Sequence, residues 1–582
     1  MTRSYKAQKV LDRMKLKLSR QIVASLAACV HCNNCAEACH YVLTNPDDPT
    51  YLPAYKGDLL RKLYKRHVDW TGRVIPWWVK AKSIYTDEEL EELKDTVFGK
   101  CTNCRRCSIN CPMGVDFAVY NRMTRGLLVS VGVMPEGVAV VSKDQWEIGN
   151  QMGVLKEDYL ETLDWMQDEL RSELGDPSVS IPIDKMNADV VYSINPREVK
   201  YDPRSIADAA KVFHLAGETW TMPSEGWDMT NFGLFSGDDE LGGAVARRLY
   251  DKVIELRGKK LVISECGHGY RSTRCEGPNW GKFDVPFPME SSVNTMLGYI
   301  RGGRIQVDRT RNSEPVTFHD SCNNARSCGL YEEPRELLNL VATDFREMYP
   351  NRAENYCCTG GGGAMSMSEY TPRRLKSAKV KADQLTATGA KYVVTSCHNC
   401  VDGLSDLIRH YKLDMKVTQL VNLVANAAIV PAKIAVPVEI PIPAVGIPVE
   451  EAAAALPLAG RTILVVDDEP DILTFFSSVL EDNGAVVKQA LDGDEAIQIL
   501  RRQKFDLVTL DLNMPGKDGG QVFEFIRKDE ALAGTRVCIV TGRPELRRLI
   551  YERPVPAPEG YLDKPVDEAT LLLNVRKILE VT

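Results

Sequence analysis

The chain has 582 residues, of which 44% are hydrophobic and 26% charged, a balance typical of soluble multidomain proteins. Its net charge of −8 at pH 7 argues against a general nucleic-acid-binding function. The sequence contains no uncharged apolar run of about 18 residues, so we predict no membrane-spanning helix. The N-terminus lacks the apolar core of a signal peptide, and we expect a cytoplasmic protein.

Cysteine usage is the main chemical signal in the sequence. There are 17 cysteines, too many for ordinary core packing, and most stand at spacings typical of metal ligands. This pattern indicates metal binding in a reducing compartment and not a disulfide framework.

Residues 1–25 predict a basic amphipathic helix, with an apolar stripe that includes Val10, Met14 and Ile22. Two interpretations stay open for this helix. It packs on the next domain with its charges in water, or it docks to a partner or to an anionic membrane surface.

Two cysteine runs, at residues 29–39 and 101–111, share the spacing C-x2-C-x2-C-x3-C. Three close cysteines hold three corners of a [4Fe–4S] cubane, and the fourth normally ligates the other cluster. The predicted ligands of the first cluster are Cys29, Cys32, Cys35 and Cys111. Those of the second are Cys101, Cys104, Cys107 and Cys39. Two zinc sites would leave cysteines over. The long insert between the runs, with helical patterns, predicts a helical ferredoxin domain over residues 26–150.

A connector is predicted at residues 151–205, and residues 206–425 then show the pattern of strands and helices that is typical of an α/β domain. Residues 259–270 and 391–400 each contain a lysine, an apolar strand, a serine and then a cysteine with a nearby histidine. We interpret this as an internal duplication. The first copy keeps only Cys266, with Cys275 close by, so one cluster is expected in the pair of copies.

The second copy contains an unusual cysteine array. Cys357 and Cys358 run directly into four glycines, Cys322 stands upstream, and Cys397 and Cys400 stand downstream. Adjacent cysteines suit a multinuclear cluster, and glycines let the backbone come close to it. We predict an iron–sulfur catalytic site here.

Six further histidines and cysteines have less certain roles. His268, His319 and His398 are either proton donors or partners in structural hydrogen bonds. Cys266 is either an extra ligand or a relic of the lost copy. We predict that Cys328 and Cys538 are small core residues.

Residues 426–460 are rich in Ala, Val and Pro and predict a semi-rigid linker. Residues 461–582 then alternate strands and helices, which predicts a doubly wound parallel sheet. Successive strands end at Asp467 and Asp468, at Asp511, at Thr541 and at Lys564. Three carboxylates at one sheet edge predict a Mg²⁺ site.

These motifs carry three family resemblances. The paired runs resemble the two-cluster ferredoxin modules of respiratory subunits. The array of adjacent cysteines and glycines resembles the CCG domain of heterodisulfide reductases, and the order of the two resembles subunits of the HdrD, DsrK and TmcB type. This resemblance implies a non-cubane [4Fe–4S] cluster held by Cys322, Cys357, Cys358, Cys397 and Cys400.

The C-terminal domain resembles response-regulator receivers. The resemblance implies that Asp511 is the phosphoacceptor and that Asp467, Asp468, Asp511 and the Asn513 carbonyl bind Mg²⁺. It also implies that Thr541 and Lys564 contact the phosphoryl group, with Tyr561 as the switch aromatic. The whole chain is thus expected to be multidomain α+β and α/β: a helical ferredoxin domain, a duplicated CCG domain and a flavodoxin-like receiver.

Three functions are consistent with these features. The first is a redox subunit held on the cytoplasmic membrane by a cytochrome b-type or quinone-reactive partner, which passes electrons to or from a disulfide or thiol substrate. The second is a redox-sensing phosphorelay protein with a histidine kinase as partner. The third is the iron–sulfur subunit of a flavin-linked dehydrogenase; no G-x-G-x-x-G follows a strand, so its flavin would lie on another chain.

Overall fold

The computed structural model describes residues 3–430, 457–512, 514, 518–529, 531–532, 534–541, 555–564, 566, 568–579 and 581. The chain divides into two compact units, Met1–Ala435 and Val436–Thr582. Most of the predicted linker, 431–456, lies outside the described residues. No helix among the described residues is long and apolar enough to cross a membrane.

The first half of the first unit is helical. Its helices are α1 (Tyr5–Lys17), α2 (Arg20–Ala28), α3 (Asn34–Glu37), α4 (His40–Leu43), α5 (Pro53–His67), α6 (Trp70–Val74), α7 (Asp87–Gly99), α8 (Arg106–Ile109), α9 (Phe117–Val129), α10 (Glu136–Glu147) and α11 (Lys156–Leu174). One apolar core joins α1, α5, α7 and α9. Helix α7 begins with a capping box, in which Thr86 and Glu89 satisfy each other's backbone N–H groups.

The predicted single helix over residues 1–25 is two helices. Helix α1 ends at Lys17, and the Ser19 side chain accepts a hydrogen bond from the Ile22 amide, so that a new helix begins at Arg20. Serine competes well for this N-cap role. Val10 and Met14 are buried in the helical core, so α1 is part of the helical domain and not a separate segment.

The second half of the first unit contains two parallel sheets. Their strands are β1 (Val190–Ser193), β2 (Trp220–Thr221), β3 (Lys260–Ile263), β4 (Met289–Ser291), β5 (Val316–His319), β6 (Tyr392–Thr395) and β7 (Lys416–Gln419). The orders are β2-β1-β3-β4 and β5-β6-β7, with every pairing parallel. The helices that connect and cover them are α12 (Pro196–Tyr201), α13 (Pro203–Leu215), α14 (Gly233–Ser236), α15 (Asp239–Glu255), α16 (Gly267–Arg271), α17 (Gly277–Gly281), α18 (Ser292–Arg301), α19 (Glu333–Val341), α20 (Thr371–Ser377), α21 (Lys379–Thr386), α22 (His398–Tyr411) and α23 (Leu420–Ala427).

The predicted connector at 151–205 is instead part of the α/β fold. It contributes α11, α12 and β1, and β1 lies between two neighbours in the four-stranded sheet. All four residues of β1 are buried. Such a short strand between polar and proline-containing segments leaves little periodicity to detect, so the α/β region begins earlier than residue 206.

The two sheets place their cysteines in equivalent positions. Strand β3 precedes Cys266 and strand β6 precedes Cys397, and each strand is flanked by a neighbour on both sides. Both cysteines therefore lie beyond the carboxyl end of an interior parallel strand, where α/β proteins place their functional residues. This arrangement is what an internal duplication predicts.

The second unit is a single doubly wound domain. Its strands β8 (Thr462–Val466), β9 (Val486–Ala490), β10 (Leu507–Asp511), β11 (Arg536–Thr541) and β12 (Gly560–Asp563) pair in parallel in the order β9-β8-β10-β11-β12. The described helices are α24 (Pro470–Asp482), α25 (Gly493–Leu500), α26 (Gly519–Lys528) and α27 (Glu568–Leu579). The order reverses between β8 and β10, as in the flavodoxin-like fold, and the predicted fold class is confirmed.

Candidate metal centres

Four cysteines from the two runs line a first cavity close to the surface. Cys29, Cys32 and Cys35 come from the first run, and Cys111 comes from the end of the second. We call this the first cysteine cavity. Its rim is open, because Cys32 is exposed and Val30 and Met113 are 63% and 48% exposed.

The other four cysteines line a second cavity. Cys101, Cys104 and Cys107 meet Cys39, the last cysteine of the first run. We call this the second cysteine cavity. The structure thus brings together the same two crossed groups of four that the sequence predicts, and it fits two clusters, each with four thiol ligands.

The backbone of the two runs has the same unusual conformation. His31 and Asn33 have φ values of 55° and 65°, and Asn103 and Arg105, at the equivalent positions, have φ values of 53° and 65°. Left-handed residues at these positions turn the chain sharply between cysteines. The repeated conformation wraps three cysteines of each run around one cavity.

The second cysteine cavity lies directly against the array of adjacent cysteines. The Thr102 hydroxyl lies 3.4 Å from Cys357 Sγ, and Cys104 packs against the apolar cluster that contains Cys357, Cys358, Cys397 and Cys400. Thr102 also lines the second cavity. One residue therefore touches both predicted cluster sites.

Two buried arginines stabilise this contact between the second cysteine cavity and the array of adjacent cysteines. Arg125 is fully buried and donates to the carbonyls of Cys101, at 2.6 Å, and Gly362, at 2.7 Å. Arg106 donates to the carbonyls of Ala38, at 2.8 Å, and Glu354, at 2.7 Å. Each arginine thus donates both to the helical domain and to the loop around the adjacent cysteines. Burial lowers the pKa of Arg125 to about 10, so the side chain stays charged at neutral pH.

The five cysteines of the array converge from three segments, and we call them the CCG site. Cys322 begins a π-helical segment, Cys322–Ser327, that follows β5. Cys357 and Cys358 lie in the glycine-rich loop. Cys397 follows β6, and Cys400 lies in the first turn of α22.

Contacts between these side chains define a compact, buried site. Ligand atoms of His319, Cys358 and Cys400 lie within 4.8 Å of one another. Cys358 also contacts Cys357, and Cys397 contacts Cys400. A Cβ at Gly361 would lie 3.9 Å from Cys322 Sγ, so the fifth cysteine lies against the glycine-rich loop that carries Cys357 and Cys358. Buried thiols in this number fit a multinuclear iron–sulfur cluster.

The glycines beside the double cysteine are required by close backbone contacts. A Cβ at Gly360 would lie 2.1 Å from the carbonyl oxygen of Asn399, and one at Gly362 would lie 2.4 Å from that of Thr102. Gly362 also has φ of +66°, a conformation that glycine adopts without strain. The loop can therefore pass between α22 and the second cysteine cavity only without side chains at these positions.

The three histidines near the predicted ligands all have structural partners. His398 Nε2 lies 2.9 Å from the Glu198 carboxylate, and His319 Nδ1 lies 3.3 Å from the Asn355 amide nitrogen. His268 Nδ1 lies 3.3 Å from Cys266 Sγ, and burial lowers the pKa of His268 to about 3. His319 is also one of the three side chains whose ligand atoms lie within 4.8 Å of one another at the CCG site, so both a structural and a proton-donating role fit its position.

Two cysteines outside the CCG site differ in their surroundings. Cys266 is fully buried and packs in a neighbouring apolar cluster. Cys328, which the sequence predicts to be a core residue, is only partly buried, and its Sγ lies 3.6 Å from that of the exposed Cys275. Cys328 packs at the edge of an apolar cluster and is not the fully buried core residue that the sequence predicts, since its neighbours Ser327 and Gly329 are not buried either. Cys538 is buried, as predicted.

In the second unit, acidic side chains converge at the carboxyl end of the sheet. Oxygen atoms of Asp467, Asp468 and Asp511 lie within 4.8 Å of one another, a donor set that fits Mg²⁺. Lys564 Nζ lies 2.8 Å from Asp467 and 2.7 Å from Asp511. These carboxylates raise the pKa of Lys564 against the effect of its burial. Thr541 ends β11 and is fully buried, while the predicted ligand Asn513 lies outside the described residues.

Family comparisons agree with this geometry. Residues 25–115 match the 4Fe-4S dicluster domain, 316–404 match the cysteine-rich CCG domain, and 463–576 match the response regulator receiver domain. An Hdr-like menaquinol oxidoreductase iron-sulfur subunit 2 from Archaeoglobus fulgidus is 26% identical over 72% of this chain and 83% of its own length. A subunit of the dihydromethanophenazine:CoB–CoM heterodisulfide reductase from Methanosarcina mazei is 26% identical over 69% of this chain and 94% of its own length.

The chain contains a 4Fe-4S dicluster domain, a cysteine-rich CCG domain and a receiver domain, and it is similar to heterodisulfide reductase-like iron–sulfur subunits. Its C-terminal domain is similar to Protein PilH from Pseudomonas aeruginosa, which is 34% identical over 20% of this chain and 96% of its own length. The predicted family resemblances are confirmed. The dicluster match covers both cysteine runs, and the CCG match covers only the second copy of the duplicated domain.

Three residues around these predicted sites carry no clear signal in the sequence. Thr102 stands inside a predicted cluster run, but its contact with Cys357 depends on how two domains meet. Arg125 lies on an ordinary amphipathic helix, α9. Lys381 is buried beside the CCG site and donates to Asn355 at 2.6 Å, and burial lowers its pKa to about 7. For Arg125 and Lys381, the only signal in the sequence is a basic residue on the apolar side of a predicted helix.

Proposed function

We propose that this protein passes electrons between a membrane-bound redox partner and a disulfide or thiol substrate, with the CCG site as the catalytic end. Each cysteine cavity would hold a [4Fe–4S] cubane, and the CCG cysteines would hold a non-cubane [4Fe–4S] cluster. When bound, the cubanes carry single electrons, and the special cluster suits two-electron disulfide chemistry.

One observation carries the proposal: the second cysteine cavity touches the CCG site. The Thr102–Cys357 contact and the Arg125 hydrogen bonds to Cys101 and Gly362 join the two without intervening protein layers. The order along the molecule is therefore first cavity, second cavity, CCG site. This order supports electron transfer from the surface to a buried catalytic centre better than a sensor, which needs only one labile cluster.

The first cysteine cavity is the proposed contact for the redox partner. Cys32, Val30 and Met113 are exposed at its rim, whereas four of the CCG cysteines are buried. The two similar subunits named above belong to a menaquinol oxidoreductase and to a dihydromethanophenazine-dependent reductase. By analogy, we infer a cytochrome b-type or quinone-reactive subunit that holds this protein at the cytoplasmic membrane.

The metal content of anaerobically purified protein tests this function. We expect EPR spectra with two ordinary cubane signals and one distinct signal that changes when a disulfide or thiol substrate is added. Zinc in place of iron, or a single cluster, would contradict the proposal. Co-purification with a membrane subunit from detergent extracts tests the partner, and purification only with a histidine kinase would favour a signalling function instead.

The receiver is proposed to be a phosphorylatable regulatory module. Asp511 lies within reach of Lys564, and Asp467 and Asp468 supply further oxygens for Mg²⁺. We infer that a histidine kinase partner donates the phosphoryl group to Asp511, with Thr541 and Lys564 in contact with it. Phosphorylation adds negative charge beside an existing ion pair, which is the kind of local change that receivers convert into altered docking.

A further inference from the structure

Four cysteines remain outside the predicted cluster ligands: Cys266, Cys275, Cys328 and Cys538. Two of them are buried far from solvent, but Cys275 is exposed and Cys328 is partly exposed. The Sγ atoms of Cys275 and Cys328 lie 3.6 Å apart. We refer to these two residues as the surface cysteine pair.

The two cysteines of the pair stand on or next to π-helical segments from the two copies of the duplicated domain. Cys275 lies in the π-helical segment Ser272–Glu276, and Cys328 directly follows the π-helical segment Cys322–Ser327. Arg271 donates to the Asn323 side chain at 3.3 Å, which holds the two segments together. The pair is therefore preorganised, although its residues are 53 positions apart in the sequence.

We propose that the surface cysteine pair is a redox-active dithiol that exchanges with disulfides at the protein surface. It lies outside the cluster ligands and constitutes a second site of disulfide chemistry in the molecule. To form a disulfide bond of about 2.05 Å, the two Sγ atoms approach each other from their present separation of 3.6 Å.

The reaction balances without further reagents. The Cys275 thiolate attacks a disulfide RSSR, forms a mixed disulfide and releases one RS⁻. The Cys328 thiolate then attacks Cys275 Sγ, forms the Cys275–Cys328 disulfide and releases the second RS⁻. Two electrons pass from the pair to RSSR, and the two protons lost by the cysteines end on the two RSH products. A dithiol that attacks the Cys275–Cys328 disulfide reverses both steps and returns the pair to its reduced form.

The surroundings assign the attacking role to Cys275. Hydrogen bonding with Cys328 and the nearby charge of Arg274 lower the pKa of Cys275 to about 7, whereas hydrogen bonding with Cys275 and burial raise the pKa of Cys328. The thiolate is the nucleophile in exchange, and Cys275 is also the more exposed of the two. Cys328 is thus placed as the resolving thiol.

The experiment uses the anaerobically purified full chain with its clusters in place, incubated in glutathione buffers of graded GSH/GSSG ratio. After acid quenching and alkylation, trypsin cuts behind Arg274, Lys282, Arg326 and Arg335. We expect a disulfide-linked pair of peptides, 275–282 with 327–335, whose fraction rises with the GSSG share.

Three variants make the outcome decisive. Cys328→Ser is expected to trap glutathione on Cys275. Cys275→Ser is expected to lose the linked peptides and most of the glutathione adduct. Cys538→Ser, the control, is expected to behave as wild type. Iron content should stay unchanged in all three, which separates this inference from the proposed cluster function. Absence of the linked peptides at every ratio, or wild-type labelling of Cys328 in Cys275→Ser, would overturn the proposal.

Discussion

The Thr102 hydroxyl lies 3.4 Å from Cys357 Sγ, so a residue between two ligands of the predicted second cubane touches a ligand of the CCG site. Gly362 also passes close to the backbone carbonyl of Thr102. The contact between these two segments is the structural basis of the proposed electron path, and each variant below tests one part of it.

Gly362→Ala is expected to lower the stability of the first unit more than the replacement of another left-handed glycine that lies away from this contact. Gly132 also has positive φ, +72°, but a Cβ there meets nothing within 4 Å. Gly132→Ala should therefore cost about 1–2 kcal/mol for the left-handed conformation alone, and Gly362→Ala about 1–3 kcal/mol more because of the clash. Urea unfolding followed by tryptophan fluorescence measures this, since all eight tryptophans lie in the first unit. Equal losses in the two variants would contradict the contact.

Arg125→Met is expected to destabilise the first unit and slow electron transfer to the CCG site. The guanidinium satisfies the carbonyls of Val97, Cys101, Phe235 and Gly362, and each buried acceptor left unpaired costs about 1–3 kcal/mol. The exposed Arg13 on α1 supplies the control, because Arg13→Met should change stability by about 0.5 kcal/mol or less. The rate at which photoreduced flavin reduces the CCG centre is the second measurement. If this rate is the same in Arg125→Met as in wild type, Arg125 does not hold the second cysteine cavity and the CCG site in position for electron transfer.

Paired serine variants test the crossed ligand groups. Because Cys35 and Cys111 line the first cavity, Cys35→Ser and Cys111→Ser should perturb the same cubane EPR signal. Because Cys39 and Cys107 line the second, Cys39→Ser and Cys107→Ser should perturb the other.

Cys538→Ser serves as the control for these variants, since this buried cysteine lies in the other unit. A spectrum in which Cys39→Ser affects the same signal as Cys35→Ser would show that each run holds its own cluster.

Asp511→Asn is expected to abolish phosphorylation of the receiver by acetyl phosphate. Asp511 ends β10 beside Lys564 and the other two carboxylates. Asp482→Asn, at the exposed end of α24, should label like wild type. The measurement is intact-protein mass in Mg²⁺-containing buffer, and an Asp511→Asn protein that still gains one phosphoryl group would place the acceptor at another residue.

The sequence alone determined the local chemistry of this protein. Cysteine spacing at 29–39 and 101–111, the double cysteine with its glycines, and the acids at strand ends are short-range patterns whose geometry follows from a few neighbouring residues. The receiver fold could be predicted for the same reason, because its strands and helices alternate in regular lengths. The boundaries of helices and strands were harder to predict from the sequence. The four-residue strand β1 depends on burial in the sheet, and the break between α1 and α2 depends on one capping hydrogen bond to Ser19.

Only the tertiary structure decided how these sites meet. The contacts of Thr102 with Cys357, of Arg125 with Gly362 and of Cys275 with Cys328 join residues far apart in the sequence. Such contacts depend on how separately formed layers pack, and no local pattern records that packing. The sequence therefore determined which metal centres to expect, and the packing of the helical domain on the α/β domain decided their order and exposed a thiol pair beside them.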